Sequence, residues 1–157
     1  MITITTYNRL YRSDFERLNK DWLIKYFSIE PIDEEVLTRP EETILKGGGQ
    51  ILFALSEGAV VGTVALKRMD DGTLELTKMA VDQQHQGRGI GKLLCGEAIE
   101  TARSMDAGRL VLFSHRLLAA ALSVYRTFGF REIPVTPGIY GRADIMMELD
   151  LRPLPQT

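Results

Sequence analysis

The sequence predicts an α/β fold, a mixed β-sheet with helices on its faces. Three observations carry that expectation. Apolar runs at 51–55, 60–66 and 73–81 are separated by turn signals, as in a meander of paired strands. Two helix-periodic stretches then alternate with further strand-like runs. Finally, 157 residues that are 45% hydrophobic suffice for one core, so residues 1–157 read as a single domain.

The elements follow in order. Ile2 to Tyr7 alternates like a strand. A helix is expected from about Ser13, placed as its N-cap with Glu16 three residues on, and Phe15, Leu18, Trp22, Leu23 and Tyr26 recur on one face. A short helix from about Asp33 to Thr38 fits between Pro31 and the Arg39-Pro40 pair. Gly47-Gly48-Gly49 has no helix after it and reads as a flexible turn rather than a phosphate loop. Glu57-Gly58 and Asp70-Asp71-Gly72 join the strands of the meander. The next helix spans about Gly89 to Ser104 and is expected to bury Ile90, Leu93, Leu94, Ala98, Ile99 and Ala102. Arg109 to Ser114 is an apolar strand, and a helix follows with Leu118, Ala121, Leu122, Val124, Tyr125 and Phe128 at helical intervals up to Gly129. Phe130 to Ile133 and Ala143 to Leu149 complete the sheet.

Composition narrows the function classes. A net charge of -2 gives no general reason to expect nucleic acid, which usually calls for a basic face. The single cysteine, Cys95, forms no internal disulfide and reads as a buried structural thiol. His85 and His115 are the only histidines and no cysteines pair with them, so no metal site is expected. The N-terminus lacks a charged-then-apolar leader, and no apolar run reaches membrane-spanning length, so a cytoplasmic protein without a membrane role is the expectation.

The densest signal is Gln86-Gly87-Arg88-Gly89-Ile90-Gly91-Lys92, which joins the Thr73 to Val81 strand to a helix. The first backbone N–H groups of a helix lack internal partners and carry the positive end of its dipole, and glycine lets a phosphate approach them. A P-loop needs glycine where Gln86 stands and Ser or Thr where Leu93 stands, and a dinucleotide fingerprint needs glycine in place of Lys92. Both fail.

What remains, Gln86-x-x-Gly89-x-Gly91, resembles the acyl-CoA pyrophosphate loop of the GNAT N-acetyltransferase superfamily. A second segment, Ala121-x-x-x-Tyr125-x-x-x-Gly129-Phe130, resembles the other signature of that superfamily and follows about one βα unit later. The resemblance implies a mostly antiparallel central sheet with helices on both faces. It also implies a splay between two central parallel strands, Met79 to Val81 on one and Leu110 to Phe113 on the other, that admits the pantetheine arm. Acetyl-CoA or coenzyme A is then the expected cosubstrate. The backbone of Met79, Ala80 and Val81 would meet the pantetheine, and the amides of Gln86, Gly87, Arg88, Gly89, Ile90 and Gly91 would hold the pyrophosphate. The side chains of Arg88 and Lys92 either add charge against the phosphates or are simply solvated. Tyr125 would lie near the thioester sulfur.

The chemistry adds roles. An amine with a pKa of about 10.4 must lose a proton before it attacks a thioester, and Glu75 is the candidate base, against the reading of an exposed strand carboxylate. Tyr125 titrates ordinarily near 10 and the departing thiol near 8.5, which makes Tyr125 the candidate proton donor, against that of a packed helix tyrosine. His115 stands at or near the place where many members of the superfamily carry asparagine, and it reads equally as a cofactor contact, a base or a helix cap. The expected acceptor is a primary amine of a small molecule or peptide. Glu30, Asp33, Glu34, Glu35, Glu41 and Glu42 read either as an acceptor wall for a cationic amine or as a solvated face. Arg142, with Tyr140 beside it, suits instead a carboxylate-bearing amine. Many members of the superfamily form homodimers through sheet edges or C-terminal strands. A non-catalytic acyl-CoA-binding or sensing module is the alternative.

Overall fold

Pairing of the apolar runs produces a seven-stranded sheet, seen in a computed structural model that describes residues 1–70 and 72–152. The chain runs β1 (Ile2–Thr6), α1 (Arg12–Tyr26), α2 (Pro31–Thr38), β2 (Gln50–Ser56), β3 (Ala59–Asp70), β4 (Thr73–Val81), α3 (Ile90–Ser104), β5 (Arg109–Ser114), α4 (Ala119–Thr127), β6 (Arg131–Ile133) and β7 (Ile145–Asp150). The strand order is β1-β2-β3-β4-β5-β7-β6, antiparallel everywhere except between β4 and β5.

That parallel ladder is short. It pairs Thr73 with Arg109, Leu74 with Leu110 and Glu75 with Val111, then stops, while β4 continues to Val81 and β5 to Ser114. The two strands therefore diverge into a wedge whose apex is Glu75. Within β4 the register with β3 slips between Thr63 and Ala65, and Lys78 takes a left-handed φ of 54°, the mark of a β-bulge. The bulge leaves Glu75, Lys78 and Ala80 on one face of the sheet and Leu74, Leu76, Met79 and Val81 on the other.

Each face packs its own core. Ile90, Leu94, Cys95, Ala98 and Ala102 of α3 and Leu122 and Tyr125 of α4 meet Leu74, Leu76, Leu110 and Leu112 on one side. Phe15, Leu18 and Leu23 of α1 and Val36 and Leu37 of α2 meet Ile51, Phe53, Ala65 and Ala80 on the other. Among the described residues, no helix is long and apolar enough to cross a membrane.

Several local expectations are corrected. Ser13 does not cap α1: a 3-10 turn at Arg9–Tyr11 runs straight into the helix, and Asn8 caps that turn by accepting the Leu10 N–H at 2.9 Å. Tyr26, the last residue of α1, is 49% exposed. Leu93 is 40% exposed, because at about 100° per residue it falls opposite the stripe centred on Leu94, Ala98 and Ala102, whose place Cys95 shares. The second helix begins at Pro31 rather than Asp33, since Asp33 is its capping partner and not its start: the Glu30 N–H donates to Asp33 Oδ2 at 2.9 Å. Phe130 drops into the core and leaves β6 to begin at Arg131, while a bond from Ala143 N–H to the Tyr140 carbonyl delays β7 to Ile145. Asp71, expected in the turn before β4, lies outside the described residues.

The triple glycine is a closed turn, not a flexible one. Gly48 N–H donates to Leu45 and Gly49 N–H to Ile44, at 3.0 and 2.9 Å. A Cβ on Gly49 would collide with the Leu66 carbonyl oxygen and stand 2.7 Å from that of Ile44. Gly49→Ala is therefore expected to cost about 3 kcal/mol, at the upper end of overpacking penalties, measured as a lower urea midpoint with unchanged slope.

Candidate functional site

The glycine loop is built as an anion cradle. After Val81 a 3-10 turn at Gln83–His85 is capped by Asp82, whose carboxylate accepts the Gln84 N–H, and Gln86 Nε2 donates back to the Val81 carbonyl at 3.3 Å. Gly87 and Gly89 both take positive φ, 79° and 78°, a region glycine enters without steric cost. The Leu93 N–H donates to the Gly89 carbonyl at 3.0 Å, whereas the amides of residues 86–92 have no acceptor among the described residues. A side chain at Gly87 or Gly89 would meet nothing within 4 Å, and residues 86–89 are exposed, so the loop borders open space. Arg88 and Lys92 are exposed beside it and make no salt bridge among the described residues. A groove of about 530 Å³ continues from Gly89 and Lys92 along α3, past Leu93 and Gly96 to Phe128.

The wedge opens beside this cradle. Val81 and Ala80 pair with Gly62 and Thr63 of β3 on one side, and beyond Glu75 nothing among the described residues pairs with β4 on the β5 side. Met79 and Val81 pack partly buried against the α3 core. Tyr125 is buried in that same core, edge-on to Phe130 at 5.8 Å, and burial pushes its hydroxyl pKa up, with Cys95 nearby adding to the shift. Burial also pushes the Cys95 thiol up to about 12, which keeps it protonated and inert as a nucleophile.

Glu75 sits on the opposite face, 4% exposed, and accepts a hydrogen bond from the Tyr140 hydroxyl at 2.8 Å. It is not an exposed strand carboxylate. Burial raises its pKa, while the Tyr140 bond and the neighbouring Lys78 and Lys67 pull the other way. Next to it Lys78 is buried with its Nζ 2.7 Å from Asp33 Oδ1. Arg142 closes on Asp33 with two bonds of 2.7 and 2.8 Å and reaches Glu30 at 2.9 Å. Phe113 of β5 meets the Tyr140 ring edge-on at 5.6 Å.

Two readings of the acidic segment change accordingly. Asp33 is fully buried, so it is neither a solvated face nor a free wall for a cationic acceptor. Burial alone would raise its pKa, but bonds from Arg142 and Lys78 outweigh that and hold it at about 2. Arg142 in turn commits three bonds to Asp33 and Glu30 while its side chain stays 16% exposed.

His115 closes a turn ahead of α4 and does not cap the helix, whose N-cap is Leu118. Its Nδ1 accepts the Leu117 N–H at 3.0 Å at the turn into α4, its Nε2 lies 3.4 Å from Asp144, and its ring packs against Phe27 at 5.2 Å. The structure thus brings Met79, Ala80, Val81 and the loop from Gln86 to Lys92 together along one edge of the wedge. Tyr125 and Glu75 belong to opposite faces of the sheet. Lys78 and its pairing with Asp33 are absent from the sequence reading. Their signal was a lysine inside the apolar run Leu76-Thr77-Lys78-Met79-Ala80-Val81, which requires a buried countercharge.

Comparisons with known proteins agree with this geometry. Residues 8–130 match the model of the acetyltransferase (GNAT) family. N-acetylaspartate synthetase of Danio rerio is 39% identical over 90 residues, 57% of this chain and 32% of that protein. N-acetyltransferase 8B of Homo sapiens is 34% identical over 90 residues, 54% of this chain and 40% of that protein. The chain thus matches well under half the length of these relatives. Among solved structures, a GNAT-family acetyltransferase from Staphylococcus aureus Mu50 superposes with a TM-score of 0.86 at 26% identity, covering 97% of this chain and 100% of that one. The paia N-acetyltransferase of Thermoplasma acidophilum, solved in complex with coenzyme A, shares the fold with a TM-score of 0.73 at 19% identity, covering 96% of this chain and 99% of that one. With the family model spanning both the glycine loop and the Tyr125 segment, the chain belongs to the acetyltransferase (GNAT) family.

Proposed function

We propose that the protein transfers an acetyl group from acetyl-CoA to a primary amine of a small molecule or peptide, by direct attack in a ternary complex. The observation that carries this reading is the wedge between β4 and β5, which opens beside a row of unpartnered amides on residues 86–92. Those amides and their open face fit a pyrophosphate, and each charge-assisted bond contributes about 1.5–3 kcal/mol. The unpaired edge of β4 at Met79 to Val81 fits the amides of a pantetheine arm.

Glu75 then serves as the base. At the apex of the wedge it takes a proton from the incoming ammonium, directly or through one water, and its burial strengthens it as a proton acceptor. The amine nitrogen bonds to the thioester carbon, the carbon–sulfur bond breaks, and the electron pair leaves on sulfur. Two protons leave the nitrogen overall, one ending on the released thiol and the other in solvent. Tyr125 donates a hydrogen bond to the departing sulfur. With its pKa raised by burial well above the roughly 8.5 of a thiol, full proton transfer from Tyr125 would run uphill, so its contribution is to stabilise the developing charge. His115 is assigned to holding the turn into α4.

Mixing the protein with acetyl-CoA and a panel of primary amines tests the proposal through amine-dependent appearance of free thiol. Initial rates varied in both substrates are expected to give intersecting lines, as a ternary complex requires. Gly89→Val places a β-branched residue at a φ of 78° and crowds the amides, so acetyl-CoA is expected to bind at least tenfold more weakly, about 1.4 kcal/mol, by calorimetric titration. Unchanged affinity would remove the loop from the binding site.

A further inference from the structure

The segment joining β6 to β7 is tied to the N-terminus of α2. The Gly141 N–H donates to Glu30 Oε1 at 2.9 Å, and Arg142 grips Asp33 and Glu30. Those ties seat Tyr140. Lys78 Nζ stands 4.9 Å and Arg142 Cζ 5.2 Å from its ring centroid, and Phe113 packs against the ring's edge. The ring is thus held by contacts of its own, and its hydroxyl delivers a 2.8 Å bond to Glu75 Oε2. The segment is anchored, by Arg142 on the buried Asp33, beside the place where it touches Glu75.

We propose that Tyr140 is a positioning residue for the proton-accepting carboxylate: its hydroxyl holds Glu75 through Oε2 and leaves the second oxygen to receive the proton of the amine. The inference rests on the reading of Glu75 as the base. A glutamate side chain at the edge of a wedge has several rotamers, and one fixed oxygen reduces them to an orientation that an incoming amine can use. The groups that face this carboxylate are Tyr140 from the β6–β7 segment, Thr77 and Lys78 from β4 and Lys67 from β3, with Asp33 of α2 behind Lys78. The hydroxyl and both lysines favour the ionised form against burial, so loss of the hydroxyl leaves burial less opposed and raises the pH at which Glu75 deprotonates.

The test follows the Glu75 carboxyl carbon by NMR in ¹³C-glutamate-labelled full-length protein, with Glu75→Gln identifying the signal. Transfer from acetyl-CoA to n-butylamine is followed in parallel as a function of pH. In Tyr140→Phe the carboxyl titration and the acidic limb of kcat are expected to move up by about one to two pH units, a tenfold to hundredfold change in acidity. The KM for acetyl-CoA is expected to stay at its wild-type value, because the loop at residues 86–92 is untouched, whereas the thermal midpoint is expected to fall at pH above the titration, where the folded carboxylate has lost a partner. A Glu75 titration unmoved in Tyr140→Phe overturns the inference and leaves the base assignment standing. Full-rate transfer by Glu75→Gln instead overturns the base assignment, and the inference with it, even where the titration moves.

Discussion

Asp33→Ala is expected to destabilise the fold by about 3–5 kcal/mol, the range for removing one partner from a buried ionic cluster. Asp33 is fully buried and is the only carboxylate that reaches both Lys78 and Arg142 among the described residues. Its removal leaves the Lys78 ammonium without its 2.7 Å partner in a site that is 3% exposed, and it also breaks the cap on the Glu30 N–H. The loss therefore combines an unpaired buried cation with a frayed start of α2. Urea denaturation measures it, and a loss below about 1 kcal/mol would show that Lys78 simply neutralises or reaches solvent. The pH dependence has a definite sign. Folding depresses the Asp33 pKa from 3.8 to about 2, so its stabilisation is fully present above pH 3.8 and fades as pH falls through about 2. A shift of that size corresponds to about 2 kcal/mol. Asp33→Asn is accordingly expected to lose less stability than the wild type between pH 4 and about 2.

Glu75→Gln is expected to lower kcat for amine acetylation about 10²- to 10⁴-fold, the usual contribution of a positioned general base. Glutamine keeps the length of the side chain and can still accept the Tyr140 hydroxyl at its amide oxygen, so the substitution isolates the proton-accepting role from the packing. Acetyl-CoA affinity is expected to be unchanged, because the cradle at residues 86–92 is formed by backbone. The acidic limb of the wild-type profile, set by a carboxyl that burial has raised, should vanish in the variant. A variant with the wild-type limb would assign the base to another group.

Much of the glycine-loop side was legible in the sequence because backbone carries it. A glycine loop at a strand-to-helix junction, with Tyr125 in its Tyr-x-x-x-Gly-Phe setting, needs only local spacing to be read, and the structure places both where that spacing implies. Most element types followed from periodicity in the same way, and the errors fell at element ends, at one helix face and in short turns such as Glu41–Leu45. At Ser13 a capped 3-10 turn preceded the helix, and at Leu93 an apolar residue lay off the buried stripe. The buried charge cluster was not legible. Glu30, Asp33, Lys78, Tyr140 and Arg142 come from three separate segments, and their charges look solvated one at a time. Only the β-bulge at Lys78, which swings that side chain onto the face of Glu75, and the return of the β6–β7 segment over α2 make them a single buried cluster. No spacing rule spans the 109 residues between Asp33 and Arg142.

The central claim is that the wedge between β4 and β5 delivers an acetyl group from acetyl-CoA to an amine. Incubating the protein with acetyl-CoA labelled in the acetyl group and a panel of primary amines, and counting label on amine nitrogen against CoA released, tests it most directly. The account predicts one labelled amide for every CoA released, with both lost together in Glu75→Gln. Tight binding of acetyl-CoA with the label retained on CoA for every amine offered would contradict it and leave an acyl-CoA-binding module, and label appearing only as free acetate would contradict it and leave a thioester hydrolase.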